Sequence, residues 1–131
     1  MKGAMLVVED EEPIQELIQE YLKPLNIEIY FASTGEEGVE MYKKLRKQGI
    51  KPIVIMDLKL PGISGAEATK RIKRFDKDAE IYAFTAWFRT KLAEDAVKAG
   101  AKAVIGRYVG FDGFRNIVSD IFAGRSISGT I

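Results

Sequence analysis

Two short apolar runs in this chain stop at carboxylates. Met5–Val8 leads into Glu9 and Asp10, and Ile53–Met56 leads into Asp57. If both runs are buried strands of one sheet, the three acids meet at a single sheet edge. Such a pocket suits a hard divalent cation with oxygen ligands and chemistry on Asp57 itself. Clustered carboxylates repel and raise one another's pKa unless a cation neutralises them, and Mg2+ is the natural choice, with Mn2+ as a substitute. The chain has no histidine and no cysteine. That removes an imidazole base, a thiolate nucleophile, any disulfide and the ligands of an ordinary zinc site.

The elements that would carry these residues follow from apolar spacing. Ala4–Val8 reads as a fully buried strand. Pro13 suits a first helical turn, and Ile14, Leu17, Ile18, Tyr21 and Leu22 repeat at helical spacing before Pro24. Ile27–Ala32 is the second strand. Ser33 or Thr34 can cap a second helix with Glu36 and Glu37 in its first turn and Val39, Tyr42 and Leu45 inward. Ile53–Met56 is the third strand, and Ser64 can cap a third helix with Ala68, Ile72 and Phe75 on one side. Glu80–Phe84, a helix over Thr90–Lys98, Ala103–Gly106 and a helix from an Asp112 cap to about Phe122 complete the series. The last helix turns Phe114, Ile117, Val118 and Ile121 inward. Strand then helix, five times, predicts an α/β fold with a parallel sheet covered on both faces.

At 131 residues the chain fits one domain. It is 47% hydrophobic and 30% charged with a net charge of +1, the balance of a globular protein without a global bias toward nucleic acid. No apolar stretch reaches membrane-spanning length and no secretion signal is visible, so a cytoplasmic location is expected. In a doubly wound sheet, ligands bind beyond the carboxyl ends of the strands. Glu9, Asp10, Asp57, Thr85 and Arg107 all fall just past predicted strands, so strand polarity alone gathers them.

These residues also carry a family resemblance. The acidic pair Glu9–Asp10, the segment Asp57–Leu58–Lys59–Leu60–Pro61–Gly62 with Gly65, the pair Thr85–Ala86, and Ala99–Gly100–Ala101 occur in the order seen in receiver domains of two-component response regulators. The chain resembles that family over residues 4 to about 122, with a chemotaxis-regulator-like pattern. A narrower similarity, carried by Asp57–Gly62 and Thr85–Ala86–Trp87, is to single-domain phosphorelay proteins of sporulation pathways. The resemblance implies the flavodoxin-like fold: five parallel strands in the order 2-1-3-4-5 flanked by five helices. Residues 1–123 would form the receiver and 124–131 a tail or linker stub.

The same resemblance implies that Asp57 accepts a phosphoryl group from a phosphohistidine on a histidine kinase or a histidine phosphotransfer protein, promoting its own phosphorylation and dephosphorylation. Asp10, Asp57 and the carbonyl of Lys59 would bind the metal, with Glu9 through water or directly. Thr85 would donate its hydroxyl to the phosphoryl group, and Lys59 would lie near the attacking water. Output would pass to a downstream protein target from a monomer or weak dimer, with no DNA-binding domain and no membrane role.

Three positions depart from the family pattern. Arg107 stands where lysine is usual, Tyr108 where proline is usual, and Val104 where a tyrosine or phenylalanine is frequent. Arginine keeps the charge and can grip phosphate as a fork, but it is bulkier and planar. An unusual Arg107–Gly110 loop is therefore expected, and an atypical pseudo-receiver that binds partners without phosphate is the alternative. Trp87 and Phe88 fall in a loop, where they could contact a partner, shield the phosphoryl group, or pack beneath the fourth helix.

Overall fold

The computed structural model describes residues 3–131. The chain runs β1 (Ala4–Val8), α1 (Glu12–Leu22), β2 (Glu28–Ala32), α2 (Gly35–Lys47), β3 (Ile53–Met56), α3 (Gly65–Phe75), β4 (Ile81–Thr85), α4 (Lys91–Ala99), β5 (Ala103–Gly106), α5 (Gly110–Phe122) and β6 (Gly129–Thr130). Short 3-10 turns occupy Lys23–Leu25, where Pro24 closes the first helix, and Arg107–Val109. Among the described residues, no helix is long and apolar enough to cross a membrane.

The strands pair in parallel in the order β2-β1-β3-β4-β5-β6. Alternation along each strand sends side chains to opposite faces. Met5, Val7, Ile53, Ile55, Tyr82, Phe84 and Ile105 join the core beneath α1 and α5. Leu6, Val8, Val54 and Met56 join the core beneath α2 and α3. Ala83 and Val104 pack with Ala93 and Ala96 of α4. A sheet buried on both faces explains why the central strands are apolar runs without a polar alternate.

The sheet has six strands, which corrects the expected five. The Gly124–Ile131 tail folds back along the free edge of β5. Ile127 packs against the core, the Ile131 N–H donates to the Val104 carbonyl at 2.8 Å, and the Gly106 N–H donates to the Ile131 carbonyl at 3.0 Å. A strand of two exposed residues has no apolar run to announce it. What holds it is the row of unpaired backbone groups that every sheet edge presents.

Smaller differences have local causes. Thr34, rather than Ser33, caps α2 by accepting the Glu37 N–H. Ser64 caps α3 through the Glu67 N–H as expected. The fifth helix starts at Gly110, so Asp112 lies inside its first turn and does not cap it. There its charge complements the helix dipole and pairs with Arg115 at 3.3 Å. Phe75, expected inward, is 44% exposed and lies edge-on to Tyr42, with the Lys43 ammonium 5.7 Å from its ring centre.

The start of α3 fixes the backbone at Asp57. The Gly65 N–H donates to the Leu58 carbonyl at 2.9 Å. A Cβ at residue 65 would collide with the Asp57 carbonyl oxygen and approach the Leu58 Cα to 2.8 Å. Both obstacles are backbone, so neither can rotate away. We therefore expect Gly65→Ala to destabilise the protein by roughly 1–3 kcal/mol in urea unfolding, because α3 must lift off the strand end.

Candidate functional site

Register brings the acids together. Val8 of β1 lies level with Met56 of β3 and with Ala32 of β2. One residue further along, Glu9 and Asp57 emerge side by side. The Asp57 N–H donates to the Val8 carbonyl at 3.0 Å and the Glu9 N–H to the Ala32 carbonyl at 2.9 Å. One carboxylate oxygen each from Glu9, Asp10 and Asp57 lies within 4.8 Å of the others. Across the sheet, Thr85 is paired with Gly106, and Arg107 follows at once. Thr85 is the last residue of its strand, one position later than the sequence pattern placed the strand end.

The acids differ in their surroundings. Glu9 is almost completely buried, Asp57 is half-buried and Asp10 is exposed. Burial raises the Asp57 pKa above the ordinary carboxylate value. The Leu58 N–H at 2.8 Å, the nearby Arg107 charge and the Thr85 hydroxyl oppose that rise, while Asp10 adds to it. Burial likewise raises Glu9, helped by Asp57 and opposed by the Glu11 N–H at 3.0 Å and by Arg107.

Arg107 reaches the site by a route the sequence did not reveal. Its Nη2 donates to Glu9 Oε1 at 2.7 Å and to the Phe84 carbonyl at 3.2 Å, and its guanidinium carbon sits 4.5 Å from the Phe84 ring centre. Its hydrogen bonds thus go to Glu9 and Phe84, and its influence on Asp57 is through space. Within the Arg107–Gly110 loop, expected to be unusual, Arg107–Val109 forms a 3-10 turn. Tyr108 swings outward and packs on Phe88, ring centres 4.9 Å apart.

Thr85 is fully buried and its Oγ1 accepts the Trp87 N–H at 3.1 Å. The Trp87 carbonyl accepts the Thr90 hydroxyl at 2.6 Å. Trp87 is 41% exposed, and the Lys59 ammonium lies 4.4 Å from its ring centre. Lys59 and Trp87 therefore meet at the rim beside Asp57, whereas Phe88 packs against the α4 core. Val104 is buried in that same core and carries no ring.

Two participants escaped the sequence reading. Gln15 of α1 donates through Nε2 to the Glu9 carbonyl at 2.6 Å and to the Ser33 hydroxyl at 3.3 Å. Phe84 offers both a ring and a carbonyl to Arg107. Gln15 is indistinguishable in sequence from a solvent-facing helix residue. Phe84 was detectable only as the neighbour of Thr85.

Residues 5–119 match the family model of the response regulator receiver domain. The chain is 33% identical over 121 residues to the chemotaxis protein CheY of Halobacterium salinarum, covering 92% of this chain and 98% of that one. It is 25% identical over 118 residues to the sporulation initiation phosphotransferase F of Bacillus subtilis, covering 90% and 92%. Against a longer protein, a cyclic di-GMP phosphodiesterase of Thermotoga maritima, it spans 28% of the length at 29% identity. A chain of the Borrelia burgdorferi CheX–CheY–BeF3–Mg2+ complex superposes with a TM-score of 0.80 at 26% identity, covering 92% of this chain and 89% of that one.

The raised carboxyl groups make stability depend on pH with a definite sign. A folded-state pKa above the unfolded value gives stability that is present below the ordinary carboxylate range. It is lost as the pH rises through the raised folded values of Asp57 and Glu9. Asp57→Asn removes one such charge and keeps the acceptor for the Leu58 N–H. At neutral pH and without divalent ions it should raise the melting temperature by a few degrees, and the gain should vanish below about pH 4. Thermal unfolding of both proteins across that range checks it.

Proposed function

The chain belongs to the response regulator receiver domain family, and on that footing we propose that it is a phosphoacceptor that takes a phosphoryl group from a partner phosphohistidine onto Asp57. The observation that carries this reading is the gathering of Glu9, Asp10, Asp57, Thr85 and Arg107 at one end of the sheet. The donor set fits a hard divalent ion: it is all oxygen, and burial has left Glu9 and Asp57 with charge that a cation would relieve. Asp10, Asp57 and the Lys59 carbonyl would hold Mg2+, with Glu9 directly or through water. When bound, the ion neutralises the acids and the charge on the transferring phosphoryl oxygens.

The protein groups supply the rest. One Asp57 oxygen, Oδ1, is fixed by the Leu58 N–H. The other attacks phosphorus, an acyl phosphate forms, and the bond from phosphorus to the partner's imidazole nitrogen breaks. The Thr85 hydroxyl and the backbone N–H groups near Leu58 and Ala86 would receive the phosphoryl oxygens, and Arg107 would add positive charge. The Lys59 ammonium lies over the Trp87 ring, two residues past Asp57 and two past Thr85, where the pair would hinder the approach of water. That favours a long-lived phosphoaspartate, suited to a relay that hands its phosphoryl group on.

One observation favours the second reading. Arg107 is bonded to Glu9 rather than to Asp57, so the positive charge usual beside the acceptor is partly engaged elsewhere. A pseudo-receiver of this kind would bind its protein partners regardless of phosphate.

Incubation with a small phosphodonor, with and without Mg2+, separates the two by intact mass. We expect a magnesium-dependent gain of one phosphoryl group, absent in Asp57→Asn and slow to decay. Failure to gain it from the small donor and from a phosphohistidine protein alike would leave the pseudo-receiver standing.

A further inference from the structure

Without the tail, the two outer strands of the sheet would be unlike. β2 opens on exposed Glu28, and most of its side chains are only partly covered. β5 is Ala103–Val104–Ile105–Gly106, buried throughout, with neither a charged side chain nor a proline to discourage pairing with another chain. The tail closes this edge: the Val104 carbonyl accepts the Ile131 N–H at 2.8 Å, and the Gly106 N–H donates to the Ile131 carbonyl at 3.0 Å. The cover is slight. Its strand is two exposed residues long, and Ile127 is the tail residue packed against the hydrophobic core. Gly124, where the chain leaves α5, has φ +85°, a backbone that a side chain would strain. Open space flanks the tail on both sides. A groove of about 820 Å3 lies between Thr130 and α4, and a crevice of about 390 Å3 runs beside Gly124–Ser128. Few apolar contacts and exposed backbone hydrogen bonds mark a segment that opens locally at small cost.

The same two β5 groups can be satisfied in another way. In an antiparallel pair, the carbonyl before one residue accepts the N–H after the residue opposite, and the reverse bond completes the ring. Place Ile105 of two copies opposite each other on a two-fold axis. The Val104 carbonyl of each copy then meets the Gly106 N–H of the other. The edge is thus complementary to itself, which is what a two-fold dimer requires. We propose that the tail is a displaceable cap on β5 that keeps the chain from pairing edge to edge with a second copy of itself. Tail and second copy compete for the Val104 carbonyl and the Gly106 N–H, so only one of them can be seated. With the tail lifted, two sheets join antiparallel at β5. With it seated, the edge is closed and the chain is a monomer. The inference is independent of the phosphoacceptor reading, since it calls on no metal and no phosphoryl group.

The test is sedimentation of the full chain over a concentration series, combined with hydrogen exchange at the Gly106 amide. Ile131→Pro deletes the N–H that the Val104 carbonyl accepts and leaves the core residues unchanged. Ile127→Asp removes the apolar anchor of the tail. The wild-type chain should sediment as a monomer throughout, with Gly106 protected to the same degree at every concentration. In dilute solution both variants should exchange the Gly106 amide at least about tenfold faster, because the tail has lifted. On concentration they should form a dimer, and protection of Gly106 should return with it. Ile131→Pro carries the test if Ile127→Asp does not fold. The proposal is overturned if neither variant speeds exchange in dilute solution, or if the released variants remain monomeric. It is equally overturned if they dimerise while Gly106 still exchanges fast, which would place the contact on another face, or if the wild-type chain dimerises with its tail seated.

Discussion

A buried carboxylate must be answered by a cation, by hydrogen bonds or by a proton. Glu9 is answered by a guanidinium 98 residues away, and much of the site is arranged around that contact. The ion pair joins the end of β1 to the end of β5 and passes over Phe84 of β4 on the way. Three strands are thereby tied at the level of the acidic cluster. Asp57 emerges between them from β3, feeling the Arg107 charge without bonding to it. A site built this way keeps positive charge near Asp57.

The surroundings make the rim of the site unlike its floor. The floor is close-packed: Phe84 lies stacked on Phe114 with ring centres 4.0 Å apart, and Thr85 is fully buried. The rim is open and aromatic, with Trp87 beside Lys59 and Tyr108 beside Phe88. Gly106 sits under that second pair. A Cβ there would collide with the Tyr108 ring and come within 2.9 Å of Phe88. Buried Val104 leaves the fifth strand without an aromatic ring to rotate. The Thr85 hydroxyl accepts the Trp87 N–H, which ties the strand end to the Trp87–Thr90 segment that leads into α4.

The fold was largely legible in the sequence because parallel central strands must be apolar on both faces. Met5–Val8 and Ile53–Met56 could hardly be anything else in a chain of alternating short runs and amphipathic helices. Strand polarity then placed Glu9, Asp10, Asp57, Thr85 and Arg107 at one edge, and the structure puts them there. The sixth strand was not legible. Gly129–Thr130 has no apolar pattern, and its pairing depends on an edge that exists only once the other five strands have assembled.

Sequence by itself determined which strand-end residues gather at one edge of the sheet, since strand period and direction are local properties that a chain carries in its apolar spacing. It also excluded imidazole and thiolate chemistry, by containing no histidine and no cysteine. Which partner each residue takes was decided only by the tertiary structure. Glu9 and Arg107 share the parity of Val7 and Ile105, the side of the sheet that faces α1 and α5, and there the Phe84 ring supports the guanidinium. That contact needs three strands in register and a side chain of the right length. No spacing along the chain encodes a distance between atoms 98 residues apart.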